Sequence, residues 1–101
     1  MTDPLQHEAF AANLNTVFRI QVAETQHIET TLVQVSDLNI TERQERFFIV
    51  FKGPNDPFLG QGMRHFTHDQ MGEFDLFVVP VSQDESGTNY EAVFNRFRRK
   101  D

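Results

Sequence analysis

From Asn15 onward, apolar residues in this chain recur at every second position, in short runs that are each closed by a cluster of turn-forming residues. A period of two sends alternate side chains to opposite faces of a pleated strand, so the pattern commits most of the chain to β-structure. In the first run Phe18, Ile20 and Val22 alternate with Arg19 and Gln21. The second covers about residues 28–36, where Leu32, Val33 and Val35 sit among Thr30, Thr31 and Gln34 and the alternation slips once, as at a bulge. The third, Phe47-Phe48-Ile49-Val50-Phe51, is continuously apolar and needs cover on both faces or a helix against one. It ends at Lys52-Gly53-Pro54-Asn55-Asp56-Pro57, where proline removes ladder donors and glycine admits positive φ.

Phe58-Leu59 are expected to return to the core, and Gly60-Gln61-Gly62 lead into a fourth strand at about residues 63–68. Its Met63, His65 and Thr67 face opposite to Arg64, Phe66 and His68. Asp69-Gln70-Met71-Gly72 reads as a tight turn, which makes a hairpin with a fifth strand over Phe74 to Val81. Pro80 marks either an edge or the point where that strand leaves its sheet. Ser82 to Asn89 has the composition of an exposed turn, and Tyr90 to Arg96 form a sixth strand. Ahead of the strands, Thr2 or Asp3 can cap a helix at about residues 4–13, with Pro4 in its first turn and Leu5, Phe10 and Leu14 at helical spacing.

Six short strands without a helical crossover predict a mainly β antiparallel meander with one short N-terminal helix. Closure into a small barrel hides the strand edges and is preferred over an open curved sheet or a two-sheet sandwich. The chain reads as one domain over residues 1–101, with the helix in 1–14, the strands in 15–97 and a basic tail at 98–101. Eleven phenylalanines supply the apolar mass that a chain of this length needs. They are expected to fill a small barrel rather than line a cavity.

A formal net charge of -6 opposes nucleic-acid binding, because phosphates require a basic face. No cysteine is present, which removes disulfides, thiolate zinc sites and cysteine nucleophiles. The polar start and the lack of a long apolar stretch predict a cytoplasmic protein without a membrane partner.

Candidates for chemistry are few. His65, His68 and Asp69 have ligand-type side chains, but residues three apart on a strand point to opposite faces, so no metal is expected and His68 is read as a hydrogen-bonded turn residue. Serines Ser36, Ser82 and Ser86 lack a nucleophile-elbow context, and Gly60-Gln61-Gly62 is half of a dinucleotide fingerprint without its βαβ unit. Glu73 and Asp75 read as the wet face of the fifth strand. No enzyme and no cofactor are predicted. Arg96, Arg98, Arg99 and Lys100 around Phe97 are read first as a solvated end, with an acidic partner face as the alternative.

Phe51-Lys52-Gly53-Pro54, Leu59-Gly60-Gln61-Gly62, His68 before Met71-Gly72, Phe74 to Val81 and Tyr90 to Arg96 together resemble a domain-of-unknown-function family of small bacterial proteins. The resemblance reaches back to Phe18 and Leu32. It implies a domain of this length, without an assigned activity, from a family often encoded beside phage-tail-collar-like proteins. That points to a non-enzymatic accessory or interaction module of a tail-like or surface structure. Its expected contact residues are Phe58, Met63 and Met71 and the tail residues Arg98, Arg99 and Lys100, with another protein as partner. A small-molecule-binding barrel is the alternative, and a homodimer formed by edge pairing is left open.

Overall fold

The computed structural model of the chain describes residues 6–97. Among them one helix, α1 (His7–Ala12), precedes seven strands: β1 (Val17–Ala23), β2 (Gln26–Val35), β3 (Asn39–Ile40), β4 (Gln44–Gly53), β5 (Gly62–His68), β6 (Gly72–Asp84) and β7 (Gly87–Phe97). Six of the strands close into an antiparallel barrel in the order β1-β2-β4-β7-β6-β5, with β5 returning to β1. The two-residue β3 adds to the edge of β4 and has too little periodic signal to be seen in the sequence.

The strand order departs from a simple meander at one place. β4 lies between β2 and β7, in register with β7 from Gln44↔Phe97 to Gly53↔Thr88. The chain therefore crosses one end of the barrel between Gly53 and Gly62, through the segment that Pro54 and Pro57 keep out of any ladder. The slip of alternation in β2 is a real irregularity, a register shift against β4 between Leu32 and Gln34. Pro80 also sits where its missing N–H suggests: β6 pairs with β5 over 72–78, changes to β7 at Val79, and shifts register between Pro80 and Ser82.

Inward positions of all six strands meet in one core. Phe18, Ile20, Leu32, Ile49, Phe51, Phe66, Val78 and Tyr90 are fully buried. Register partners stack their rings: Phe47 on Phe94 at 4.5 Å and Phe66 on Phe74 at 5.6 Å between centroids. Phe51 joins the two halves, 5.1 Å from Phe18 and 4.8 Å from Phe66. The interior is thus occupied by aromatic rings in contact, as the phenylalanine content predicted.

Each end of the barrel has a plug. At one end the buried Leu59 is held by its N–H, which donates to the Tyr90 hydroxyl at 2.9 Å. At the other end α1 inserts Phe10, fully buried, among Phe18, Phe47, Phe74 and Phe94. β6 and β7 are in register only from Val79 and Glu91 to their turn, and Phe10 lies between Phe74 on β6 and Phe94 on β7, at 6.1 and 5.4 Å. The helix starts at His7, later than residue 4, and its cap residue Gln6 is extended with no side-chain capping bond. Thr2, Asp3, Pro4 and Leu5 lie outside the described residues, and Leu14 is exposed. A six-residue helix does not hold itself together in water, so the docking of Phe10 is what maintains it.

Candidate interaction surface

The β5–β6 hairpin carries apolar residues on its wet face as well as its dry one. Leu76 and Val78 point inward and are buried, while Phe77 points outward and is 50% exposed. Its register partner across the hairpin is Met63, 62% exposed, and directly opposed side chains on one face are in contact range. Farther along β6, Val79 is half-buried and Val81 exposed, and Val81 shares a shallow open cleft with Phe58, Pro80, Ser82 and Gln83. Phe58 with Val81 and Met63 with Phe77 are thus two exposed apolar pairs along one hairpin, with the half-buried Val79 between them on β6, together termed the strip. Removing such a strip from water is favourable by roughly 25 cal/mol per Å² of apolar area, of which only the surplus over the freedom lost on association appears as affinity.

Two of the expected contact residues, Phe58 and Met63, belong to this strip. Leu59 enters the core as expected, but Phe58 beside it turns out to solvent. Met71 does not belong. It sits at the other end of the hairpin, in the β5–β6 turn, half-buried against the core, with its N–H donating to His68. Arg98, Arg99 and Lys100 lie outside the described residues. Phe77, Val79 and Val81 were missed as surface residues. The signal was present: Leu76 to Val79 is apolar at consecutive positions, which a strand with one wet face does not need.

One flank of the strip is polar and fixed. His65 bonds Asp75 through Nδ1 at 2.7 Å and Glu73 through Nε2 at 2.8 Å, on the outer face of the same hairpin. The bond to Asp75 first, and that to Glu73 second, hold the His65 pKa above its ordinary value. His68 points inward and is buried, so the two imidazoles stand on opposite sides of β5 and do not converge. Its Nδ1 accepts the N–H groups of Gln70 and Met71, at 3.0 and 3.1 Å, which makes it the turn residue anticipated from the sequence. Burial pushes its pKa down.

A second open cleft lies away from the strip, lined by Ser36, Asp37, Asn39, Arg46, Phe48 and Val93. It brings together no nucleophile and base: Ser36 Oγ donates to the Asp37 carbonyl and accepts the Phe48 N–H. Among the described residues no group of three or more His, Asp or Glu side chains is placed to hold a metal ion, and no helix is long and apolar enough to cross a membrane.

No curated protein and no solved structure matches the chain. A family model described as "Domain of unknown function (DUF6916)" matches residues 5–94, and the recurring motifs lie where the fold needs them. Gly53 lets the Thr30 methyl approach, where a Cβ would stand at 3.0 Å, and Gly72 closes the hairpin turn at φ +80. With this match over most of its length, the chain belongs to the family Domain of unknown function (DUF6916).

Proposed function

We infer that this domain is a non-enzymatic interaction module that docks another protein on the outer face of the β5–β6 hairpin. The observation that carries this reading is the strip formed by Phe58, Val81, Val79, Phe77 and Met63, an apolar surface placed on a rigid closed barrel. Rigidity matters because a preformed surface loses little conformational freedom on binding. The clamp of Asp75 and Glu73 on His65 fixes the polar rim beside it. The interior of the barrel is filled by contacting rings, which favours recognition on the outside over a small-molecule site within it.

The association implied by the family resemblance makes a protein of a tail-like or surface assembly the first partner to test, with the domain acting in the cytoplasm as an accessory to that assembly. A cysteine-free chain suits that reducing compartment. The experiment places a photoreactive residue at Phe77 and, as a control, at Val33, which is exposed on β2. Cross-linking in native cells from position 77 and not from position 33 to one protein supports the reading. Equal or absent cross-linking from the two positions contradicts it.

A further inference from the structure

We propose that the parting between β6 and β7 receives an extended segment of the partner protein as an added strand, paired to both edges; this rests on the reading of the domain as a docking module. The direction of each edge follows from bonds already made within the wall. Phe48 on β4 accepts the Ser36 N–H at 2.9 Å and donates its own N–H to the Ser36 hydroxyl at 2.8 Å, both toward β2. The N–H and C=O of one residue in an antiparallel ladder point to the same side, so the pair Phe48↔Val93 exchanges no bonds. Val93 therefore turns its N–H and C=O away from β4, and by alternation so do Glu91 and Asn95. Glu91 finds Val79 there. On β6, whose register with β5 is unbroken over 72–78, the parity of Val79 is shared by Phe77 and Asp75. Beyond Val79 and Glu91 the two strands are unpaired, so among the described residues no strand takes up these main-chain groups of Asp75, Phe77, Val93 and Asn95.

Two facing rows of main-chain donors and acceptors fit one extended backbone, which presents its N–H and C=O groups alternately to either side. β6 and β7 are antiparallel, so the segment lies parallel to one and antiparallel to the other. Its inward side chains meet the fully buried Phe10 ring, between Phe74 and Phe94, and are small and apolar because rings already fill that space. Its outward side chains run between Phe77, 50% exposed, and Val93, 63% exposed, where an apolar residue is covered on both flanks. Nearer the β5–β6 turn they pass Asp75 and Glu73, which each place one oxygen on His65 from the β5 side and can accept further bonds. The facing residue Asn95 is uncharged, so this end takes a lysine or arginine. A chain with net charge -6 attracts such a segment. A second copy of the chain does not supply it: among the described residues each long strand of the copy is already held in its own barrel, and the acidic rims repel.

The probe is a displayed library of random peptides of about nine residues, a common strand length, selected on the immobilised full chain and followed by synthesis of the most enriched sequence. Enriched peptides are expected to alternate apolar residues and to carry lysine or arginine. The bound peptide is expected to slow hydrogen exchange of the Asp75, Phe77, Val93 and Asn95 amides. An inserted strand uses its N–H groups on both sides, so methylating either alternate set of peptide nitrogens is expected to weaken binding by about tenfold or more. Val93→Pro removes a donor that no ladder of the chain uses and is expected to weaken binding to a similar degree; the methylated peptides carry the test if that variant does not fold. Cross-linking from position 77 decides docking on the hairpin face separately, so the two readings fail independently. Absence of enrichment, an alternate set that can be methylated without loss, or unprotected Val93 and Asn95 amides overturns the inserted strand.

Discussion

Truncating Phe10 to alanine tests how the barrel is closed at its helical end. The ring is fully buried and within 6.4 Å of four other phenylalanine centroids, and it bridges the parting between β6 and β7. Burying such a side chain contributes about 1.5–3 kcal/mol of transfer free energy. The cavity left among Phe18, Phe47, Phe74 and Phe94 raises the cost of Phe10→Ala to about 3–5 kcal/mol. Against a total stability of about 5–15 kcal/mol that is a large fraction, and at about 4–8 °C per kcal/mol it lowers the melting temperature by on the order of 15 °C or more. The chain has one tyrosine, the buried Tyr90, and no tryptophan, so tyrosine fluorescence during urea unfolding reports on the barrel interior without interference. A loss below about 1 kcal/mol with an unchanged urea slope would refute the argument, because it would mean that the ring does not seal the core.

Three further perturbations probe other joints of the structure. Gly87→Ala is expected to destabilise strongly, since Gly87 has φ +145 and a Cβ there would lie 2.5 Å from the Gly53 carbonyl oxygen, whereas Gly60→Ala meets nothing within 4 Å and should stay within about 0.5 kcal/mol in thermal melts. Tyr90→Phe leaves the Leu59 N–H without its acceptor, and urea unfolding should show a loss of about 1–3 kcal/mol. The His65 clamp stabilises the charged imidazole, so its contribution is fully present below about pH 6.5 and is lost as pH rises through the raised folded-state value; Asp75→Asn should bring the His65 titration, followed by NMR, back toward the ordinary value.

The strands were readable because period-two alternation in Phe18-Ile20-Val22 and in Met63 to His68 reports a sheet with one dry face, and the turn at 69–72 gave one pair of partners. The exposed turn read over 82–89 is shorter than its polar composition implied: β6 runs to Asp84 and β7 starts at Gly87, with Ser82, Gln83 and Asp84 paired to Asn89, Thr88 and Gly87. The ring order was not, since nothing in the β4 sequence says that it pairs with β2 and β7 rather than β5. That is decided by the proline-rich crossing and by the fit of distant rings such as Phe47 on Phe94. For the surface strip, the identities of Phe58 and Met63 were accessible as apolar residues next to turns. Phe77 was not picked out, although it shares the parity of Glu73 and Asp75, because a run apolar on both faces cannot be phased by hydrophobicity alone. Met71 shows the converse: an apolar residue in a turn reads as exposed, yet here it packs under the bonds its turn makes to His68. The bond between His68 and Thr16 joins residues 52 positions apart and leaves no local trace.

The central claim, that the domain acts through the outer face of the β5–β6 hairpin, is tested most directly by affinity capture of the tagged protein beside a Met63→Glu, Phe77→Glu double variant whose melting temperature matches wild type. Both side chains are exposed register partners, so the substitutions spare the core while placing two charges in the strip. The account predicts that a protein captured reproducibly by the wild type, first among them a structural protein of a tail-like or surface assembly, is absent from the variant. Undiminished capture by the folded variant, or no specific capture by either, would contradict it.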